Sequence, residues 1–319
     1  AWLNSEDRPN LSPDIVPKFV KPILEENKKV CILVVDCLRH DHFKSILPIL
    51  ELFFTIEMHY NFSLLPSATP YSRNAIFSGM FPDEMVKKYP EQANDMENDS
   101  PSLNQYEKQF LLDQLKREGL GNKSVHYHKI WAVEEGNKFQ NRIKDYVQQD
   151  ILALVVNFVD ILAHKSSQTE ILKEMVPDES GYRTAVKSWL EHSWLLQVLK
   201  QLSASGFTVV MTSDHGSIRV QRSVMVSADR AASSGVRYKY GRNLNTSDKN
   251  AIVIKDPETF RLPVFGPQPS YIFAKDDCFF IYPNQAHKYQ AQLKNSFQHG
   301  GVSMEEMLVP IAVMKSRGS

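Results

Sequence analysis

The chain predicts an α/β fold: a mostly parallel central sheet with helices on both faces and an inserted helical cap region. Three observations carry this. The runs at 30–35, 151–159 and 207–211 are short, continuous and rich in β-branched residues, as strands buried on both faces are. Asp36, Asp160 and Asp214 follow those runs, at the sheet edge where open α/β folds gather their chemistry. The segments 106–118 and 184–203 carry apolar residues at helical spacing and supply layers to cover such a sheet.

Taken in order, residues 1–29 contain Pro9, Pro13, Pro17 and Pro22 and read as a linker with a short helix. Because the chain opens on Ala1, it reads as a fragment of a longer protein. Residues 30–316 form the main domain, and 317–319 resemble the start of an expression tag. Between 81 and 150 the strand pattern lapses, so that stretch is expected to be the insertion, either packing support or a cap over the site. Within it, His126 and His128 alternate as in a strand, with no carboxylate nearby in sequence to make them ligands. One long helix is expected over 184–203, with Val186, Trp189, Leu190, Trp194, Val198, Leu199 and Leu202 on one face and Gly206 close to its end. His192 lies off that stripe. The runs 271–274 and 278–282 flank Lys275-Asp276-Asp277 and read as a hairpin.

Composition narrows the function. The chain of 319 residues has 37 basic and 37 acidic side chains, so no overall field draws it to duplex nucleic acid or a membrane surface. Its length suits one large domain with an inserted subdomain. No apolar run is long enough to span a bilayer, and no signal peptide is apparent. Cys31, Cys37 and Cys278 are odd in number and read as reduced core residues of a cytoplasmic protein.

Six dispersed metal-capable side chains and one threonine suggest a two-metal site around a hydroxyl nucleophile: Asp36, Asp160, His164, Asp214, His215, His299 and Thr69. A single acid after a strand is usually a turn or cap residue; three, two of them with a histidine close by, point to metal. If the chain turns helical after Asp160, His164 lies one turn further on the same side and can share its ion. Thr69 precedes Pro70 at the start of a helical pattern, which alone reads first as a plain N-cap with Pro at the first helical position. The free amides of such a helix start favour a phosphate, and a nearby metal would turn the hydroxyl into a nucleophile. Arg73 and Asn74, a turn further on, are candidate phosphate contacts. His40, Asp41 and His42 are consecutive and diverge on a helix, so they rank below the dispersed set.

The stretches VVDCLR (34–39), PSATPYSRNAIFSG (66–79), NFVDILAH (157–164), TSDHG (212–216) and FQHGGVSMEEM (297–307) resemble a PglZ domain of the alkaline phosphatase superfamily. They are most similar to the effector domains of PorX-type response regulators of the type IX secretion system. The resemblance runs from about residue 10 to the end and implies an alkaline-phosphatase-like fold. It implies one metal held by Asp160, His164 and His299 and a second held by Asp36, Asp214, His215 and the oxygen of Thr69. Zinc is the metal implied; the mixed imidazole and carboxylate set also suits manganese. The implied activity is phosphodiester hydrolysis through a phosphothreonine on Thr69, acting on short linear or cyclic oligonucleotides. A sulfatase is disfavoured, since Thr69 stands where that branch needs a cysteine or serine. Arg230, Arg237, Lys239 and Arg242, interleaved with Tyr238 and Tyr240, are expected to grip phosphates and bases. The alternative is a metal-stabilised adaptor that binds a sigma factor or the cytoplasmic part of the secretion motor, with a homodimer as the family's further suggestion.

Overall fold

The computed structural model describes residues 3–317 apart from 4, 6, 92, 94–105, 167–168, 228–232, 234, 247, 267–268 and 284–285. The β-branched runs become the strands β1 (Val30–Val35), β4 (Ile151–Val156) and β5 (Thr208–Thr212). With β2 (Phe54–Phe62), β3 (Val125–Ile130) and β13 (Leu308–Ser316) they form a six-stranded sheet ordered β2-β13-β5-β1-β4-β3. The pairs β5–β1, β1–β4 and β4–β3 are parallel, whereas β13 runs antiparallel to both β5 and β2.

Alternation along β1 splits the core into two layers. Cys31, Leu33 and Val35 pack with the helices His40–Leu50, Glu179–His192 and Trp194–Ala204. Val30, Ile32 and Val34 pack on the other face with the helices Lys21–Glu25, Thr69–Ser78 and Glu107–Arg117. Every residue of β1 and β4 is buried, which explains why these strands read as continuous apolar runs. The expected mostly parallel sheet with helices on both faces is therefore what forms.

Several elements depart from the sequence expectations. Residues 11–25 are more than a linker: Leu11, Ile15, Val16, Val20 and Leu24 are buried, and a π-helix at Val16–Val20 leads directly into Lys21–Glu25. The described residues of the stretch 81–150 act as packing support: they supply β3 to the sheet edge, where His126 and His128 alternate as expected, and the helix Glu107–Arg117 to one face. The real excursion follows β5. It carries β6 (Ile218–Arg219), β7 (Arg222–Met225), β8 (Tyr238–Gly241), β9 (Ala251–Ile254), β10 (Ser270–Ala274), β11 (Cys278–Ile281) and β12 (Phe297–Gln298) in three small sheets. The hairpin expected at 271–282 does not form. β10 pairs with β8 and β9, while β11 pairs with β7 in a different sheet, so the polar tripeptide between them is a crossing between sheets. The long helix over 184–203 is two helices broken at Ser193, whose extended backbone (φ −91°, ψ 158°) caps the second.

Leu33 lies fully buried in the central strand of the sheet. Leu33→Ala is expected to cost about 3 kcal/mol of unfolding free energy, read as a lowered denaturant midpoint at unchanged slope; a loss under about 1 kcal/mol would mean the two-layer core does not depend on this strand.

Candidate metal centre

Parallel register brings the carboxyl ends of three strands level. Val35 pairs with Val156 and Val34 with Thr212, so Asp36 and Asn157 leave the sheet side by side, with Ser213 level with Val35. Asp214 follows Ser213, and Asp160 lies in the first turn of the helix Phe158–Lys165. The apolar run expected to end at Asp160 thus ends as a strand at Val156. The helix that follows puts Asp160 and His164 one turn apart on one side, as the spacing predicts.

The six ligand candidates converge as two groups, each with ligand atoms within 4.8 Å of one another: Asp160, His164 and His299, and Asp36, Asp214 and His215. In the first, His164 Nε2 lies 3.2 Å from His299 Nε2 and 3.3 Å from Asp160 Oδ1. In the second, His215 Nε2 lies 3.6 Å from Asp36 Oδ1 and 3.7 Å from Asp214 Oδ2. The groups adjoin, because the rings of His215 and His299 stack with centroids 4.1 Å apart. Thr69 Oγ1 is 3.1 Å from His215 Nε2. Thr69 is the first residue of its helix and Ala68 is the N-cap, without any side-chain cap bond. The hydroxyl is therefore not a helix cap and faces the metal-capable groups instead. The amides of Tyr71 and Ser72 turn back onto the Ala68 carbonyl at 3.1 and 3.0 Å, so this helix start does not offer them to a phosphate.

The donor set fits divalent ions. Each inner carboxylate spends one oxygen on the protein and leaves the other bare. Asp214 Oδ1 accepts from the amides of His215 (3.0 Å) and Cys37 (3.3 Å), and Asp36 Oδ2 accepts from Arg73 Nη1 (2.8 Å) and Asn157 Nδ2 (3.2 Å). Asp214 Oδ2 and Asp36 Oδ1 remain buried without a hydrogen-bond partner, which is costly unless a cation meets them. The histidines are set the same way. His215 Nδ1 lies 3.0 Å from the Gly216 carbonyl and His299 Nδ1 3.3 Å from that of Ser67, so each carries its proton there and presents a bare Nε2 to the site.

Burial and charge agree with this arrangement. Burial pushes the Asp36 carboxyl up to about 7 despite the Arg73 guanidinium, with the Asp214 and Asp160 charges adding to the rise. Burial would also raise Asp160 and Asp214. The hydrogen bond and charge of His164 outweigh it at Asp160, and the charges of His215 and Arg73 do so at Asp214, holding both below the usual carboxylate range. Burial and the neighbouring His215 push His299 down to about 3, the neutral state a metal ligand needs.

Two of the expected phosphate contacts and most of the expected nucleotide grip are something else. Arg73 is buried behind the site, with Nη1 2.8 Å from Asp36 and Nε 2.8 Å from Glu107. Asn74 turns its amide nitrogen onto the Pro70 carbonyl at 2.9 Å. Arg237 is fully buried in a two-pronged pair with Glu306, at 2.9 and 2.6 Å. Glu306 in turn accepts the Gly301 amide at 2.8 Å, so the pair props the loop that delivers His299. Lys239 donates to the carbonyls of Ser233 and Gly235, and Tyr238 and Tyr240 are buried in a small aromatic cluster. Arg242 is exposed, and Arg230 lies outside the described residues. Asp41 is taken by Arg39 and Arg183, while the His126 ring stacks with those of Tyr146 and His128.

Sequence reasoning gave no role to Asn157, Ser67 or Glu107. Asn157 was findable, as the residue directly after β4. Ser67, whose hydroxyl ties the Gly300 amide (3.2 Å) and the Gly301 carbonyl (2.8 Å) to the Thr69 loop, carries no signal beyond its nearness to Thr69.

Comparison with known proteins gives consistent results. The model of the BREX system PglZ alkaline phosphatase-like domain matches residues 15–314. No curated protein matches the chain in sequence. Among solved structures, murine ectonucleotide pyrophosphatase/phosphodiesterase 5 superposes with a TM-score of 0.59 at 13% identity, covering 92% of this chain and 88% of that one. Its inactive threonine-to-alanine variant in complex with AMP gives 0.59 at 12% identity, over 91% and 88%. Phosphonoacetate hydrolase from Sinorhizobium meliloti 1021 gives 0.56 at 10% identity, over 90% and 89%. At these identities the likeness is one of fold.

Two measurements check the site. Elemental analysis of the purified chain is expected to find two divalent ions, with at least one lost in His299→Ala; an unchanged content would remove His299 from the ligand set. Arg237→Ala is expected to cost about 3–5 kcal/mol of stability by stranding the buried Glu306 charge, whereas a nucleotide contact would change substrate affinity and leave the melting temperature in place.

Proposed function

The chain belongs to the PglZ alkaline phosphatase-like family, and we propose on that basis that it is a phosphodiesterase that uses two zinc ions and Thr69 as nucleophile. The observation that carries this is the Thr69 hydroxyl facing the Nε2 of a buried histidine, 3.1 Å away, at the junction of two ion-sized groups of ligands. When bound, zinc or manganese would lower the pKa of the threonine hydroxyl and offset charge on the phosphoryl oxygens.

The chain's own residues do the rest. Thr69 gives up its hydroxyl proton to solvent and its Oγ1 bonds to phosphorus as the bond to the leaving alkoxide breaks; the alkoxide takes a proton from solvent, and the intermediate is a phosphothreonine. Water then attacks that phosphorus and loses a proton to solvent, the bond to Oγ1 breaks, Oγ1 is reprotonated, and a phosphate monoester leaves. Ser67 and the Arg237–Glu306 pair fix the loop of His299 beside Thr69, so reacting and ligating atoms keep their spacing through both steps. His164, with 45% of its side chain exposed, marks the open side through which substrate arrives.

A nucleotide phosphodiester is the substrate class we favour. Support comes from the ectonucleotide phosphodiesterase of similar fold, whose inactive threonine-to-alanine variant is bound to AMP. The motif resemblance to PorX-type effector domains supports the finer reading: short linear or cyclic oligonucleotides as substrate and a response-regulator role in type IX secretion. Among the described residues of the expected grip, Arg242 is the exposed one available to contact such a chain. Among the described residues no helix is long and apolar enough to cross a membrane.

The test is hydrolysis of bis(p-nitrophenyl) phosphate by zinc-loaded protein. Thr69→Ala is expected to lower kcat by about 10³-fold or more with ion content retained, and Thr69→Ser to keep measurable turnover. Equal rates in the wild-type and alanine proteins would dismiss Thr69 as nucleophile.

A further inference from the structure

We propose that Glu107 sets the ion affinity of the Asp36–Asp214–His215 group by neutralising Arg73, which would otherwise compete with the ion for the same two carboxylates. This rests on the two-metal reading above and adds a residue that lies outside the ligand set.

Arg73 stands four residues after Thr69, one turn along the same helix. Its Nη1 is 2.8 Å from Asp36 Oδ2 and 3.6 Å from Asp214 Oδ2. The second of those oxygens is one of the bare atoms an ion would meet. A fixed guanidinium so close, with 1% of its side chain exposed, has no water to screen it and opposes a second cation on the same oxygens. Glu107 meets this charge from the other side. It is fully buried, and its Oε1 accepts from Arg73 Nε at 2.8 Å. The carboxylate is itself shared: Tyr127 OH donates to Oε2, and Lys129 Nζ approaches Oε1 at 3.5 Å. Tyr127 and Lys129 reach it from β3, so the sheet-edge strand enters the electrostatics of the site two strands away.

The charges around Asp36 and Asp214 fall into a sequence, ion, carboxylate pair, Arg73, Glu107, Lys129. Removing an anion from it weakens ion binding and removing a cation strengthens it. No comparable cation backs Asp160, His164 and His299, for among the described residues Asp160 pairs with the two histidines. Glu107 thus acts on one group and not on the other. It is a positioning and charge-setting residue, since it touches neither the ions nor Thr69.

The experiment titrates zinc into metal-free protein against a chromogenic chelator, in a His164→Ala background that disables the Asp160 group. Glu107→Gln is expected to weaken the remaining site by about 10- to 100-fold, the range for outer partners of metal ligands. Lys129→Met is expected to tighten it about twofold or more. A merely structural role moves both variants towards weaker binding, or neither, and either pattern overturns the inference. The sign of the Lys129 effect carries the test even where Glu107→Gln fails to fold. Wild-type protein that binds no zinc would overturn the two-metal reading as well; zinc bound with equal constants in every variant overturns this inference alone.

Discussion

Three carboxylates held together out of water set the terms for the rest of this molecule. Asp36 and Asp214 are buried, and each carboxylate in the site raises the cost of charging its neighbours. Such a cluster is stable only with cations on more than one side. Arg73 supplies one from within the fold. The bare oxygens and the bare histidine nitrogens face the other way, where divalent ions are the chemical group that satisfies all of them together. The site is thus half compensated by the polypeptide and half left for ligands.

The scaffold serves this by rigidity. Asp36 and Asp214 follow parallel strands whose register fixes them side by side, and the other metal-capable side chains arrive on the helix after β4 and on segments tied by hydrogen bonds. His299 comes on the loop after β12, where the backbone must pass close to other groups. Gly300 has φ +112°, a conformation suited to glycine, and a side chain on Gly301 would run into the Arg237 guanidinium 2.5 Å away. The buried Arg237–Glu306 pair is a weak source of stability in itself. Its value is geometric, because Glu306 also grips the Gly301 amide and so converts an ion pair into a fixed position for a ligand.

The sheet and the acids that converge at its edge were legible in the sequence because burial on both faces leaves an unbroken apolar run with an acid after it. Val30–Val35 followed by Asp36 shows this plainly. β3 was legible only as a strand-like alternation and not as part of the main sheet, since an edge strand that is only half buried admits histidine, tyrosine and lysine and lacks the unbroken apolar run of β1 and β4. The break at Ser193 was hidden for the opposite reason: the apolar stripe continues across both helices, so periodicity alone cannot see the bend. From its segment alone Thr69 read first as a cap, because Ser and Thr before a Pro carry the same signal at the N-cap and one position later; the helix that starts at Thr69 and the His215 ring 3.1 Å from its hydroxyl show that it does not cap.

Basic residues are where sequence pattern misleads most. Arg73, Arg237 and Lys239 each stand in a segment that suggests phosphate binding, and each is buried and committed to protein oxygens. The common cause is the density of acidic groups and loop carbonyls near the sheet edge. A fold that gathers Asp36, Asp214, Glu107 and Glu306 in its interior needs buried arginines to hold them, and those arginines sit in sequence beside the catalytic motifs because they serve the same loops. Cations that neutralise a carboxylate cannot also bind a phosphate. On the proposed function, recognition of a phosphoryl group would therefore fall to the ion-binding edge itself, and recognition of the rest of a substrate to exposed groups around His164.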